Sequence, residues 1–190
     1  VLFFLDTKVG FVTERTVQRE GLRGVKLLVL PQTSHVTERA AETILQWVKE
    51  GGTLLVVGDG LRKNDANQPL PVALPKGDPQ TLGGISVRVA AMGKGRFVWM
   101  PAGQDLGVYH QLGEALLSQT GVLRPLRVKI NASGAPHGVE MRTAQTASGT
   151  RLIYVINMNK VPVEVGFNQS VAGFRDLLTG KRLADPEKLE

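Results

Sequence analysis

Lys26-Leu27-Leu28-Val29-Leu30-Pro31 and, further along, Gly51-Gly52-Thr53-Leu54-Leu55-Val56-Val57 decide how this chain folds. Both are short apolar runs without period-two alternation, the mark of parallel strands covered on both faces. Pro31 stops the first run, because its ring removes a ladder donor. Between the two runs the period changes. Ala41, Ile44, Leu45 and Val48 recur on one helical face, and Glu38, Glu42, Gln46 and Lys49 on the other. The spacing predicts a helix over Thr37–Glu50, capped by Thr37 and ended by Gly51-Gly52 as a left-handed stop. Strand, helix and strand in that order make a βαβ unit, which closes right-handed.

Outward from this unit, Val1–Leu5 reads as a further strand ending at Asp6. Leu61–Leu82 is rich in Pro, Asn, Asp and Gly and reads as a loop, longer than most connections within a compact domain. Ile85–Ala90 and Arg96–Met100 are expected strands joined by a Gly93-Lys94-Gly95 turn. A helix over Leu106–Gln119 follows, with Leu112, Leu116 and Leu117 facing inward. Beyond Arg124 the pattern becomes short strands separated by turns: Leu126–Ile130, Gly138–Thr143, Arg151–Asn157 and Val161–Phe167. A boundary near Gly121–Pro125 divides the chain into an α/β domain, 1–122, and a β domain, 123–190.

Composition narrows the function classes. The chain has 190 residues, of which 42% are hydrophobic, enough for one sizeable core or two small ones. Cysteine is absent, which removes disulfides, thiolate metal sites and thiol nucleophiles together. No apolar run approaches the roughly 18 to 20 residues that span a bilayer, so no membrane partner is expected. The N-terminus shows neither a basic n-region nor a small-residue cleavage pattern, so no signal peptide is expected, and the compartment stays open. A net charge of +6 and a pI near 9.8 raise the question of nucleic acid. The 23 Lys and Arg are spread from Lys8 to Lys188 without a basic stripe or interleaved aromatics, and no nucleic-acid partner is expected.

The stretch Gly24–Pro31, then Trp47-Val48-Lys49-Glu50-Gly51-Gly52-Thr53-Leu54, carries a family likeness. It resembles the amidotransferase-like domain that follows the catalytic barrel in bacterial β-galactosidases and related glycoside hydrolases. Gly93-Lys94-Gly95-Arg96-Phe97-Val98 fits the same pattern, and the strand Arg151–Asn157 and the turn Asp176–Lys181 resemble the small β domain that ends such enzymes. The resemblance implies an incomplete flavodoxin-like or class I amidotransferase-like parallel sheet with helices, lacking its opening strand and helix. A small antiparallel β-sandwich-like domain would follow it. It also implies a catalytic barrel upstream in the same polypeptide, holding the catalytic glutamates. The chain itself would be a non-catalytic accessory region: scaffold, homo-oligomer contact or peripheral carbohydrate binding.

The residues at the strand ends limit the chemistry such a sheet could hold. Alignment on the strand Thr53–Val57 puts Gly58 where amidotransferases carry a nucleophilic cysteine, and glycine offers no nucleophile. No Gly-x-Ser-x-Gly elbow replaces it. Polar residues remain at the carboxyl ends of the expected parallel strands, where open α/β sheets bind ligands: Asp6, Gln32, Thr33, Ser34, His35 and Asp59. Either they line a crevice for a sugar or another polyol, or Asp59 and Ser34 satisfy turn amides as such residues habitually do. Asp6 and Asp59 form a glycosidase-type pair only if their strands are neighbours. His35, His110 and His137 lack metal-ligand spacing, so no metal or cofactor is expected. Trp47 and Trp99 read as packing residues, with sugar stacking as the alternative. Two rival functions stand beside the accessory one. A carbohydrate-binding module would need exposed aromatics among Tyr154, Phe167 and Phe174, and a stand-alone hydrolase would use a site near Asp59 and Ser34.

Overall fold

A computed structural model describes residues 4–122, 124, 128–130, 138–160, 162–163, 165–167 and 173–183. The chain forms two compact units, Gly10–Val122 and Val1–Val9 with Leu123–Glu190.

The first unit opens with helix α1 (Glu14–Glu20), for which the sequence showed no periodic stripe; Val17 is its single buried residue. Thr13 caps it by accepting from the Thr16 amide, and Gly21 ends it at φ 68°. There follow β1 (Leu27–Pro31), α2 (Glu38–Lys49), β2 (Thr53–Val57), β3 (Asp78–Leu82), β4 (Ile85–Met92), β5 (Gly95–Met100) and α3 (Leu106–Gln119). The five strands form one sheet in the order β1-β2-β5-β4-β3. β1, β2 and β5 run parallel, and β4 and β3 are antiparallel additions, so the sheet is mixed and not the parallel one expected. The reason is connection length: Met92 pairs with Gly95 across Gly93-Lys94, far too short for a crossover.

Both faces of the sheet are covered. Along β2 and β5, Leu54, Val56 and Phe97 join Ala41, Ile44 and Val48 of α2, whereas Leu55, Val57, Val98 and Met100 join Leu112 and Leu116 of α3. Every position of β2 is buried in consequence. Phe97 is fully buried and stacks on Trp99 with ring centroids 3.9 Å apart and planes inclined by 28°.

Several local expectations change. The end of the long loop is a strand, β3, exposed at all positions but Leu82. It is turned back by Gly83-Gly84 at φ 57° and 80°, the left-handed pair a two-residue hairpin requires. Pro79 is tolerated there because β3 is an edge strand. Thr37 precedes α2 but its side chain does not cap it. Its Oγ1 accepts from Gln18 Nε2 at 2.6 Å, and its amide donates to Glu14 Oε2 at 3.0 Å, so α1 and α2 hold each other. Gly51, at φ 125°, is outside the left-handed helical region. Gly52 is required for space: a Cβ there would lie 2.3 Å from the Trp47 ring.

Of the strand expected over Val1–Leu5, residues 1–3 lie outside the described residues. Phe4 is in a 3₁₀ turn and Leu5–Thr7 bend, so these described residues are not part of a sheet strand. In the second unit β6 (Val128–Ile130) pairs with β9 (Val165–Phe167), β7 (Val139–Gln145) with β8 (Arg151–Asn157), and β10 (Phe174–Arg175) with β11 (Arg182–Leu183), all antiparallel. Val139 and Met141 are buried, and Glu140 and Arg142 between them form a half-buried ion pair at 2.8 Å. The turn before β11 is organised by Asp176, which accepts from the Leu178 amide and the Thr179 hydroxyl. The Thr179 hydroxyl, helped by the Leu178 amide, holds this carboxyl below the usual carboxylate range.

Candidate functional site

The carboxyl ends of β1 and β2 carry the polar residues singled out above, and each turn is tied to the next strand. The Gln32 amide, at φ 50°, donates to Val57 O at 2.8 Å; the Gly58 amide, at φ 69°, donates to Met100 O at 2.9 Å. Thr33 Oγ1 donates to Pro31 O at 3.3 Å, and Thr33 O accepts from the Leu61 amide at 3.0 Å. Ser34 O accepts from the Arg62 and Lys63 amides. Ser34 Oγ lies 2.9 Å from His35 Nδ1, and His35 Nε2 lies 3.1 Å from Asn67 Oδ1, which also accepts from Lys63 Nζ at 2.8 Å. Because Asn67 Oδ1 accepts, this network assigns the imidazole proton to Nε2 and leaves Nδ1 to receive the Ser34 hydroxyl.

Thr33, Ser34 and His35 are therefore brought together with Asn67, a residue the sequence reading did not select. Asp59 is not part of that network. Its side chain is 83% exposed and pairs with Arg62 at 3.2 Å. Asp6 belongs to the other compact unit and lies in a bend.

The chemistry of this edge is limited. At Gly58 a Cβ would stand 3.1 Å from Ala102 Cβ and 3.3 Å from Gln32 Cγ, so neighbours crowd the place of a nucleophile. Ser34, His35 and Asn67 have the order of hydroxyl, base and orienting group. The amides around them are already engaged: Ser34 N with Gln32 O, and those of Arg62 and Lys63 with Ser34 O. No pair of these donors is left to stabilise an oxyanion.

What holds this loop is Asn64, 6% exposed and absent from the candidates. Its Oδ1 accepts from the Ala66 and Gln68 amides, its Nδ2 donates to Glu38 Oε1 at 2.9 Å, and its own amide donates to Gln68 O. Asn64→Ala removes the acceptor of two part-buried amide hydrogen bonds and the donor to Glu38, and is expected to cost about 1 to 3 kcal/mol in all. Asp59→Ala, removing an exposed ion pair, is expected to change stability by no more than about 0.5 kcal/mol. Urea titrations of the two variants check the contrast, and equal midpoints would contradict it.

No family model matches this sequence, and no curated protein matches it either. Solved structures do. An exo-carrageenase of family GH42 from Bacteroides ovatus is 15% identical over 98% of this chain and 24% of its own, with a TM-score of 0.68. Gan42B, a GH42 β-galactosidase from G. stearothermophilus, is 16% identical over 98% of this chain and 34% of its own, with a TM-score of 0.69. A β-galactosidase from Bacillus circulans sp. alkalophilus is 19% identical over 88% of this chain and 32% of its own, with a TM-score of 0.63.

The fold is one that GH42 enzymes contain.

The chain spans about a quarter to a third of the length of these enzymes' chains. At such identities the likeness is one of fold, and it agrees with the glycoside hydrolase resemblance carried by the strand and turn motifs. The aromatics that a carbohydrate-binding module would need are divided. Tyr154 is 58% exposed and Phe167 is half-buried; the Phe174 side chain is outside the described residues, as is His137. Among the described residues, no three His, Asp or Glu side chains gather as metal ligands, and no helix is long and apolar enough to cross a membrane.

Two grooves open at the other end of the sheet. One, of about 750 Å³, is lined by Leu22, Lys26, Trp47, Glu50 and neighbours; the second, of about 540 Å³, by Lys26, Thr53, Lys94, Arg96, Gln119 and Thr120. Lys26, Thr53 and Arg96 lie at or just before the starts of the parallel strands, opposite the edge that carries Ser34 and Asp59.

Proposed function

We propose that this chain is a non-catalytic accessory region of a glycoside hydrolase of the GH42 kind, a scaffold alongside a catalytic barrel carried in the same polypeptide. The observation that carries the reading is the state of the sheet's carboxyl edge. Gly58 stands at the nucleophile position with Gln32 and Ala102 against it, and the polar side chains nearby pair with one another. The span of a quarter to a third of the GH42 chains supports the same reading, since it leaves ample length for a barrel elsewhere. The finer reading is that the α/β unit is an amidotransferase-like, flavodoxin-type sheet. The parallel trio β1-β2-β5 and the left-handed Gly58 directly after β2 support it.

An immunoblot of the source organism with antiserum against this chain tests the proposal. The expected product is longer by at least about 250 residues, the usual size of a (β/α)₈ barrel. A native product of 190 residues would overturn the reading. So would turnover of an aryl β-galactoside by the purified chain alone.

A further inference from the structure

Three cations from three separate segments meet at the 540 Å³ cleft: Lys26 before β1, Lys94 in the β4–β5 turn and Arg96 on β5. No carboxylate lines it; the remaining polar side chains are Thr53, Gln119 and Thr120. Among the described residues none of the three cations is in an ion pair. Arg96 Nη1 donates to Gln119 Oε1 at 2.7 Å, which orients the guanidinium. Like charges drawn to one concave place repel each other, and a bound anion relieves that repulsion.

The competing explanation is that these cations merely offset the carbonyl ends of α2 and α3, which terminate here. The last four carbonyls of α2, and those of Leu116 and Leu117 in α3, are already satisfied by backbone. Gln46 O accepts from the Glu50 amide, Trp47 O from Gly52, Val48 O from Gly51 and Lys49 O from Lys94; Leu116 O and Leu117 O accept from Thr120 and Val122. None of the three cations donates a hydrogen bond to these carbonyls.

The cleft continues into the larger groove, since Lys26 and Gly51 line both. There the Trp47 indole lies against the Gly52 backbone and contributes an apolar surface beside the cations. We propose that the cleft is an oxyanion site, taking a sulfate, phosphate or carboxylate group, either as the free ion or on a sugar ring seated in the Trp47 groove. The inference does not depend on the accessory-scaffold reading, because it rests on the charge and shape of this end of the sheet alone.

The test is an amide NMR titration of the 190-residue chain at constant ionic strength with sodium sulfate, galactose 6-sulfate and neutral galactose. Saturable shifts at Lys94, Gly95 and Arg96 are expected with the sulfated probes and not with galactose. In Lys26→Gln/Lys94→Gln, two exposed positions whose replacement spares the core, affinity should fall at least about tenfold. Tighter binding of the sulfated sugar, with a shift at the Trp47 indole N–H, identifies a sugar acid as the ligand. Equal binding of inorganic sulfate identifies the free ion, and either result upholds the site. Absence of saturable shifts with both sulfated probes, or unchanged affinity in the double variant while the fold is intact, overturns it.

Discussion

Gly95→Ala is expected to lower the melting temperature of the α/β unit by more than about 10 °C. A Cβ at this position would lie 2.0 Å from Val48 O and 2.2 Å from Gly52 O, both backbone atoms that cannot swing aside. Relief requires the β4–β5 hairpin to lift from the end of α2, which would break the Arg96 amide bond to Gly52 O and the Lys94 amide bond to Lys49 O. Overpacking against side chains costs about 1 to 3 kcal/mol, so a clash with fixed backbone should cost at least about 3 kcal/mol and more than about 10 °C of Tm. Gly84→Ala is the control. It meets nothing within 4 Å and suffers only from φ 80°, so about 1 kcal/mol is expected. Thermal melts followed by circular dichroism decide the matter, and a Gly95→Ala melt close to that of the parent would show the contact to be loose.

Phe97→Ala should be comparably damaging for the opposite reason. Phe97 is 0% exposed, sits in the central parallel strand and fills the space under α2 while stacking on Trp99. Deleting the ring leaves a cavity and is expected to cost about 3 to 5 kcal/mol; Phe97→Leu should recover much of the loss. Chemical denaturation measures both, and Trp99 fluorescence supplies a local readout, because its stacking partner disappears. A loss under about 1 kcal/mol would mean that the site collapses around the missing ring.

The two variants show which parts of the fold were legible in the amino-acid order. The βαβ unit could be read because β2 is buried at every position and α2 presents one apolar face, so burial leaves its period in the sequence. β3 escaped because an edge strand meets solvent, and Asp78-Pro79-Gln80 accordingly looks like loop. Its signal was the Gly83-Gly84 pair between Leu82 and Ile85, a hairpin mark. α1 escaped because only Val17 is buried; the helix is held by Glu14 and Gln18 reaching Thr37, contacts that no local pattern encodes.

For the site, the position of Gly58 could be placed by counting from a strand, and Ser34 and His35 by their nearness to Pro31. The partner Asn67 and the anchor Asn64 could not, since both depend on how the following loop folds back. Asp6 was read as the end of an apolar run, and the described part of that run, Phe4 and Leu5, is turn and bend. The three cations of the cleft are spread over 71 positions, from Lys26 to Arg96 inclusive, so their meeting is a product of topology alone.

The strand order also constrains how the polypeptide is made. β2 emerges from the ribosome long before its second neighbour, because β5 lies between β2 and β4 in space but after both β3 and β4 in sequence. Until Gly95–Met100 has been synthesised, Thr53–Val57 presents an apolar strand with one bare edge, the kind of surface that nascent chains pair with one another or hand to a chaperone. Premature termination anywhere between the two strands would therefore release a sticky product, whereas completion of the two further hairpins, β3–β4 and β4–β5, covers that edge.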